Sequence, residues 1–379
     1  MNLKKCILFI QLTTLYLAYF FFNYQFILIP FILNDEYKSI ENYLKKCNNL
    51  EYLKTNETKS TNIKISIISP VHNTGKFLIR LIRSIQFQNF NDLEIIIIDD
   101  YSNDNSIELI KNYQKEEKRI RLIQNKKNKG TFASRNIGIL KSKGNYVMIP
   151  DPDDILLIDC LKYFYDFAIK YNYEILRFNI YIHYGKTFFG KITKKLESRP
   201  IYQPELSTYL FYGLGFLKQV DYNICNKFIK REALIRSLNI FDKNDLNGFM
   251  TVHEDGLLNY ILYRNAKSLF FMKKFGYYYI QNNYGKRRDY HDFENIKFRF
   301  IHLINVFNKS KNTKYEKDMT NEIFNRLIYE DRKKIRLYLL EQEPKFFIDI
   351  INILNNNEFF EIKYKKYLKT FKVYLSKKI

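Results

Sequence analysis

The stretch LEIIIIDD, residues 93–100, decides the fold. Its four consecutive isoleucines show no alternation of apolar and polar side chains, which is typical of a strand buried on both faces of a parallel sheet. Two aspartates follow the isoleucines directly. The sequence therefore predicts a buried strand whose carboxyl end opens onto an acidic edge.

Similar short apolar runs lie on either side of this strand, and segments with helical spacing separate them. The predicted strands are IKISIISP (63–70), RIRLIQN (119–125) and NYVMIPD (145–151), and the predicted helices are GKFLIRLIRSIQFQ (75–88), NSIELIKNYQKEE (105–117) and TFASRNIGILKSKG (131–144). Ser102 through Ser106 offer N-caps for the second helix, and Gly144 is placed to end the third. Strands that alternate with helices predict a mostly parallel α/β sheet.

Polar residues follow every predicted strand. The segments are SPVHN (69–73), DDYSND (99–104), NKKNKG (125–130) and DPDD (151–154). In a parallel sheet the carboxyl ends of the strands meet at one edge, and ligands collect there. We therefore expect these four segments to form one polar rim.

The segment DPDD raises a specific chemical question, because Asp151, Asp153 and Asp154 place three carboxylates within four positions. Unpaired, they would repel one another. A divalent cation such as Mg²⁺ or Mn²⁺ takes carboxylate oxygens, often bridges to substrate phosphates, and would turn the repulsion into attraction. Asp154 has an equally good alternative as the N-cap of a helix over ILLIDCLKYFYDF (155–167).

Four segments in order resemble the family 2 glycosyltransferases of the GT-A fold, over about residues 63–280. They are ISIISPVHN (65–73), EIIIIDDYSNDNS (94–106), NKGTFASRNIGILKSKGNYVMIPDPDDIL (128–156) and HEDGLL (253–258). The resemblance implies a GT-A nucleotide-sugar-binding fold, built on a mostly parallel Rossmann-like sheet. One of these motifs alone is weak evidence, whereas four with compatible spacing are specific.

The resemblance assigns the first part of a nucleotide-sugar site. Pro70, His72 and Asn73 are expected to line the nucleotide pocket, and His72 stands where the family usually has tyrosine. Asp100 is expected to bind the base of a uridine-like nucleotide. Tyr101 then replaces a glycine of the family pattern.

The resemblance also assigns the diphosphate and metal contacts. Gly130 and Arg135 are expected to approach the nucleotide and its diphosphate, and the planar fork of arginine suits phosphate. Asp151 and Asp153 form the DxD element that binds the ribose and the metal, with Asp154 as a further metal ligand. His183, His253 and His291 are conceivable ligands, although a lone histidine is more often structural.

The segment HEDGLL supplies the expected catalytic acids. Asp255 is expected to act as general base on the acceptor hydroxyl, and Glu254 to orient the site. The composition alone favours a simpler interpretation, in which an acidic pair stabilises the first turn of a helix. Asn226 and Lys227 either contact the acceptor or pack in the core.

The function implied is an inverting glycosyltransferase that depends on Mn²⁺ or Mg²⁺. It would move a hexosyl or N-acetylhexosaminyl group from a nucleotide sugar, expected to be a UDP-sugar, to a hydroxyl of a glycan, lipid or protein. The main alternative is a membrane-anchored protein of the same fold that binds nucleotide sugars without transferring them. A phosphohydrolase of the haloacid dehalogenase type and a basic adaptor explain fewer of the motifs.

Charge and cysteine usage exclude other classes. The chain has 379 residues and a formal net charge of +22, but its lysines are scattered among acids and no nucleic-acid-binding motif accompanies them, so no nucleic acid partner is expected. The four cysteines lack the paired spacing of a zinc site or a disulfide framework.

The N-terminal segment predicts membrane attachment. Residues 7–33 hold no charged side chain and are long enough to cross a bilayer, unlike the shorter core of a cleaved signal peptide. Lys4 and Lys5 place the short N-terminal side in the cytosol. We expect a single-pass type II protein of the Golgi or endoplasmic reticulum with a lumenal catalytic domain, in which Asn56 and Asn308 are possible glycosylation acceptors.

The predicted organisation has five parts. They are a cytosolic tail (1–6), a transmembrane signal anchor (7–33), a stem (34–62) that is either helical or an unstructured tether, the GT-A domain (63–290) and a helical C-terminal extension (291–379).

Overall fold

The structure is a computed structural model that describes residues 42–47, 61–184, 187–191, 200–203, 206, 223–239, 246, 247, 249 and 254–281. All of them belong to one compact unit, Met1–Gly285. Within these residues, no helix has the length and apolar character needed to cross a membrane. The predicted anchor (7–33) and C-terminal extension (291–379) lie outside the described residues, as do His253 and His291.

The first half of the domain alternates strands and helices as predicted. The elements are β1 (Ile65–Val71), α1 (Gly75–Gln86), β2 (Leu93–Asp99), α2 (Ser106–Glu116), β3 (Ile120–Gln124), α3 (Gly130–Lys141) and β4 (Tyr146–Met148). Every strand and helix predicted here is confirmed, with shifts of a few residues at the ends. Asn105 lies at the N-cap of α2, inside the expected group of capping residues, although its side chain makes no capping hydrogen bond.

The second half has longer connections and more strands. The elements are β5 (Ile155–Leu156), α4 (Cys160–Tyr171), β6 (Ile175–Tyr184), β7 (Thr187–Lys191), β8 (Pro200–Tyr202), β9 (Lys227–Lys230), α5 (Arg231–Leu238), α6 (Glu254–Asn265) and β10 (Ser268–Gln281). The expected acidic pair lies in the first turn of α6.

The strands form one mixed sheet in the order β3-β2-β1-β4-β9-β6-β10-β5, with β7 beside β6 and β8 beside β10. The strands β1 to β4 are parallel to one another, whereas β9 runs antiparallel to both of its neighbours. The register pairs Val71 with Asp99, and Asp99 with Gln124, so β1, β2 and β3 end at one level. The predicted rim is therefore confirmed.

Helices cover both faces of the parallel strands, which explains the run of isoleucines in β2. Residues 95–98 are all buried. Ile95 and Ile97 belong to the core cluster that contains side chains of α1 and α2. Ile98 faces α3 instead, where a Cβ on Gly138 would lie 2.9 Å from its side chain.

Gly144 has a different role from the one predicted. The helix α3 ends at Lys141, with Ser142 as its C-cap, so Gly144 does not end it. Its backbone passes close to β1, and its N–H donates to Ser66 Oγ at 2.8 Å. Ser66 in turn donates to the buried carboxylate of Glu94 at 2.7 Å. Glycine is required because the two backbones approach closely.

Part of the predicted stem packs on the domain. Residues 42–47 are helical, and Leu44 and Cys47 lie in a buried cluster with Ile155 and Tyr278. The hydroxyl of Tyr43 donates to the carbonyl oxygen of Leu156 in β5 at 2.7 Å. For these residues the interpretation as an unstructured tether is wrong.

We expect Gly144→Ala to destabilise the domain. The added Cβ would lie 2.5 Å from the backbone nitrogen of Ser66 and 2.6 Å from the carbonyl carbon of Ile65. Backbone atoms inside a sheet cannot move aside cheaply, so a loss of about 1–3 kcal/mol in the free energy of unfolding is expected. Denaturant unfolding measures it.

The exposed neighbour provides the control for this prediction, since Lys143→Ala adds no atom near β1 and is expected to leave the free energy of unfolding within about 0.5 kcal/mol. Equal stability of the two variants would contradict the close approach of Gly144 to β1.

Candidate active site

The loop after β1 contains three of the predicted nucleotide-binding residues. Pro70 is buried within β1, in the part of the strand that extends beyond its pairing with β4. His72 and Asn73 follow on the exposed rim. His72 Nδ1 lies 2.9 Å from the carbonyl oxygen of Asp100, and since a carbonyl accepts only, Nδ1 carries the proton. His72 Nε2 then faces the side-chain amide of Asn128 at 3.4 Å.

The loops after β1 and β2 are tied to each other through Asn73. Its backbone has a φ of 54°, in the left-handed region that asparagine tolerates. The N–H of Asn73 donates to Ser102 Oγ at 3.0 Å, and its side-chain oxygen accepts from the N–H of Asn103 at 2.9 Å. Tyr101 has a φ of 62° and is 56% exposed. The loop thus keeps the left-handed conformation that suits the family's glycine, although tyrosine replaces it.

Asp100 organises the start of α3. Its carboxylate accepts from the backbone N–H of Lys129 and of Gly130 and from the side-chain amide of Asn125, each at 2.8 Å. Gly130, the first residue of α3, has a φ of 81°. The two backbone donors are N–H groups at the start of the helix, which the helix itself leaves unpaired. Because Asp100 is buried and already accepts three hydrogen bonds, the expected contact with a nucleotide base would have to add to these contacts or replace one.

Arg135 joins three separate elements. The side chain extends from α3 and is 3% exposed. Its Nη2 donates to Asp151 Oδ1 at 2.9 Å, in the loop after β4. Its Nη1 lies 3.4 Å from Glu254 Oε1 and also donates to Asp255 Oδ1, both in the first turn of α6. One expected metal ligand, Asp151, and both expected catalytic acids therefore meet at the guanidinium that was expected to bind the diphosphate.

This arrangement directs the arginine toward protein carboxylates. Both terminal nitrogens of Arg135 are engaged by them, and in the part of the chain that the structure describes its Nε makes no hydrogen bond. Burial opposes the charge of Arg135, but Asp255, Asp151 and Glu254 outweigh it and raise its pKa. The expected direct contact with a diphosphate would require the guanidinium to leave one of these carboxylates.

The surroundings of Asp255 suit a base that works near neutral pH. Burial raises the pKa of Asp255 most, and Arg135 lowers it. The negative charges of Glu254 and Asp151 raise it again, and the resulting pKa is about 7. The side chain keeps 26% of its surface exposed, so a substrate hydroxyl has access to it. An ideal general base has its pKa close to the working pH.

The three acids of DPDD separate in the structure. The N–H of Asp154 donates to the carbonyl oxygen of Asp151 at 3.3 Å, which closes a tight turn with Pro152 and Asp153 between them. Proline is favoured at this second position because its φ is already suitable. Asp151 turns to Arg135, whereas Asp154 turns into the core. The turn therefore directs the carboxylates of Asp151 and Asp154 to different partners.

Asp154 occupies a site that the sequence does not suggest. Its side chain is fully buried, and its two oxygens accept from the hydroxyl of Tyr277 at 2.6 Å and from the N–H of Ile280 at 2.9 Å. Burial, followed by the charges of Asp153 and Asp151, raises its pKa well above the usual value, and the two hydrogen bonds oppose this. The N-cap interpretation is wrong, because β5 intervenes and α4 starts at Cys160 with Asp159 as its N-cap.

The donor set fits a divalent cation that also binds substrate. Asp151 is partly exposed and Asp153 half-buried. Within the described residues no three acidic, histidine or cysteine side chains form a ready-made metal site. Two carboxylates with substrate phosphates are the usual ligands of Mg²⁺, so a pair of aspartates is sufficient. Asp154 faces Tyr277 and Ile280 instead, and the His183 side chain is outside the described part.

Asn226 and Lys227 are both buried, which favours packing over contact with an acceptor. Lys227 Nζ donates to Asn226 Oδ1 at 3.1 Å and lies 5.7 Å from the centre of the Tyr263 ring. The positive charge of Lys227 also lowers the pKa of Asp255. Lys227 therefore acts on Asp255 through its charge, although it lies buried in the core.

Sequence reasoning missed Tyr277 altogether. Besides binding Asp154, its hydroxyl accepts from the backbone N–H of Asp151 at 3.0 Å. The residue lies in β10, far along the chain, within the run GYYYIQ (276–281). In a chain with 32 tyrosines, nothing in this run distinguishes one hydroxyl from another.

Comparisons with known proteins agree with this fold and this rim. Residues 66–238 match the model of the family described as glycosyl transferase family 2. Glycosyltransferase GlyG of Streptococcus pneumoniae is 32% identical over 117 residues, which is 31% of this chain and 39% of GlyG. The poly(ribitol-phosphate) beta-N-acetylglucosaminyltransferase TarP of Staphylococcus aureus is 29% identical over 229 residues, which is 58% of this chain and 64% of TarP. The chain thus spans less than two thirds of either relative.

Solved structures support the fold. The crystal structure of residues 1–349 of S. aureus TarS superposes with a TM-score of 0.56 at 18% identity, and the match covers 78% of this chain and 81% of that fragment. TarS in complex with UDP-GlcNAc gives the same TM-score at 17% identity, with coverage of 78% and 82%. At this identity the likeness shows the α/β GT-A-like fold alone. The family model and this likeness in fold agree that residues 66–238 are similar to glycosyl transferase family 2.

Proposed function

We propose that this protein is an inverting glycosyltransferase that moves a sugar from a nucleotide-sugar donor to an acceptor hydroxyl. The observation that carries the proposal is the meeting of Asp151, Glu254 and Asp255 at Arg135. Asp255 and Asp151 both contact this arginine, which supports a base next to the loop that carries the DxD pair. The family match over residues 66–238 supports the reaction class.

In the proposed reaction Asp255 acts on the acceptor. A carboxylate oxygen of Asp255 takes the proton of the acceptor hydroxyl, while the hydroxyl oxygen forms a bond to the anomeric carbon of the donor. The bond between this carbon and the diphosphate oxygen breaks, and the nucleoside diphosphate leaves with the electron pair. Attack opposite the leaving group inverts the anomeric configuration.

Arg135 and Glu254 prepare this step rather than carry it out. The guanidinium fixes one oxygen of Asp255 and leaves the other carboxylate oxygen for the substrate. Glu254 adds negative charge, which keeps the pKa of Asp255 raised against the effect of Arg135. An Mg²⁺ or Mn²⁺ ion held by Asp151 and Asp153 would supply positive charge for the diphosphate.

UDP-GlcNAc is the first donor to test. Support comes from TarS, which is similar in fold and was crystallised with UDP-GlcNAc, and from the N-acetylglucosaminyl transfer in the name of TarP. TarP's name also states a polymeric acceptor, which favours a glycan or another polymer among the acceptor classes considered. Pro70, His72, Asn73, Asp100 and Gly130 are proposed to shape the nucleotide pocket. Membrane attachment through residues 7–33 is a separate proposal that rests on the sequence.

The test of the proposed function is turnover of a panel of nucleotide sugars by the full chain with Mn²⁺, with Mg²⁺ and with chelator. Metal-dependent release of nucleoside diphosphate that is lost in Asp153→Ala supports the proposal. Nucleotide binding without turnover, even with broad mixtures of acceptors, would instead identify a protein that binds nucleotide sugars without transferring them. Absence of nucleotide binding would overturn both.

We expect Asp255→Asn to lower kcat by about 10²–10⁴-fold, because the amide cannot accept the hydroxyl proton. Nucleotide affinity should stay within about threefold, since Arg135 retains Asp151 and Glu254. Steady-state kinetics and calorimetry measure the two effects. Glu232→Gln is the matched control, because it makes the same change in the first turn of α5 on a side chain that is 72% exposed. If both variants keep full turnover, Asp255 is not the base.

We expect kcat/KM to fall as the pH drops through about 7. The pKa of Asp255 is raised, so the carboxylate that accepts the proton is present above about pH 7 and is lost below it. A pH profile from about 5.5 to 9 measures this acid limb.

Glu254→Gln provides an independent check on the pH profile. Removing this negative neighbour should lower the pKa of Asp255 and move the acid limb to lower pH, whereas Asp166→Asn, at an exposed carboxyl on α4, should leave the limb in place. An acid limb that is the same in both variants would contradict the assignment to Asp255.

A further inference from the structure

Tyr277 lies at the junction between the core and the DxD turn, residues 151–154. The side chain is fully buried in β10. Its hydroxyl oxygen accepts from the backbone N–H of Asp151 at 3.0 Å, and its proton is donated to Asp154 Oδ2 at 2.6 Å. One hydroxyl therefore holds both ends of the four-residue turn.

The carboxylate of Asp154 completes this connection to β10. Its second oxygen accepts from the N–H of Ile280 at 2.9 Å, three residues beyond Tyr277. β5, which begins directly after Asp154, pairs with β10 through Tyr277 and Leu156. The turn is thus fixed to β10 by side chains and backbone together.

The contacts of Asp151 divide between two directions. Its backbone N–H points to Tyr277, whereas its carboxylate points to Arg135. A rotation of the turn would break one contact or the other. Asp153 lies between these two anchored ends, inside the turn that the hydrogen bond from Asp154 N–H to the Asp151 carbonyl oxygen closes.

We propose that Tyr277 and Asp154 form a clamp that positions the DxD turn for the donor, with Tyr277 as a positioning residue. The proposal rests on the proposed function, because it assigns the turn to donor binding. It also gives Asp154 a role distinct from metal ligation. A buried carboxylate destabilises the fold unless hydrogen-bond donors satisfy its oxygens. If this position served packing alone, an apolar residue would stabilise the fold more than Asp154 does.

The test compares two buried tyrosines. Tyr277→Phe removes the hydroxyl of the clamp and keeps the ring. Tyr146→Phe is the matched control, since Tyr146 is equally buried and its hydroxyl donates to the Tyr173 carbonyl oxygen at 3.1 Å, away from the DxD turn. Hydrogen exchange of a peptide spanning residues 149–156, the donor KM and kcat are measured for the full chain.

Tyr277→Phe is expected to speed exchange of this peptide and raise the donor KM by about tenfold, with kcat within about threefold of the parent. Tyr146→Phe should leave all three quantities unchanged. Equal exchange and equal donor KM in the two variants would overturn the clamp. Hydrogen exchange needs no substrate, so the comparison still decides the clamp if the proposed transferase activity is not found.

Asp154→Asn distinguishes a role of Asp154 in the clamp from a role as a metal ligand. The asparagine amide keeps one oxygen but replaces the other acceptor with an NH₂ donor. If Asp154 belongs to the clamp, residues 149–156 should exchange faster, as in Tyr277→Phe, both with and without Mn²⁺. If Asp154 is a metal ligand, exchange without Mn²⁺ should equal that of the parent protein, and added Mn²⁺ should slow exchange less than it does in the parent. The second result would overturn the assignment of Asp154 to the clamp.

Discussion

The sharing of one buried guanidinium by three carboxylates is the constraint on which the site depends. Arg135 comes from α3, Asp151 from the loop after β4, and Glu254 and Asp255 from α6, so the ion pairs fix elements that are distant in sequence. A single positive charge cannot balance three negative ones. This excess of acid adds to the effect of burial, which raises the pKa of Asp255 most, so the pKa stays raised although an arginine touches the carboxylate. It also explains why a cation is chemically suited to the same place.

The supports around this centre are built from backbone groups that the fold leaves without partners. Asp100 satisfies the first N–H groups of α3, the helix that carries Arg135. Tyr277 satisfies the N–H of Asp151. Asp100 follows directly after β2, and Tyr277 lies in β10. The position of Arg135 relative to Asp151 is thus set by the sheet itself, through one carboxylate and one hydroxyl.

Much of this architecture can be predicted from the sequence. The isoleucines of β2 and the alternating helices specify the parallel strands, and the polar segments after each strand specify the rim. Periodicity does not show which rim residues touch. Family resemblance singled out Arg135 and Asp255 separately but did not predict their contact. The buried position of Asp154 escaped prediction because a two-residue strand replaced the expected helix start. Gly144 was misassigned because its neighbour, Ser66, is distant in sequence.

The packed helix at residues 42–47 limits where a shortened fragment of the protein can begin. A fragment that begins after this helix loses the side chains that cover Ile155, Tyr181 and Tyr278. The apolar surface that this fragment would expose includes Ile155, directly after the DxD turn, and the rings of Tyr181 and Tyr278. Exposed apolar surface of this kind promotes self-association. Insolubility or inactivity of such a fragment would then reflect its boundary and not its chemistry. A fragment that keeps the packing of the domain therefore includes residues 42–47, although their composition is typical of a linker.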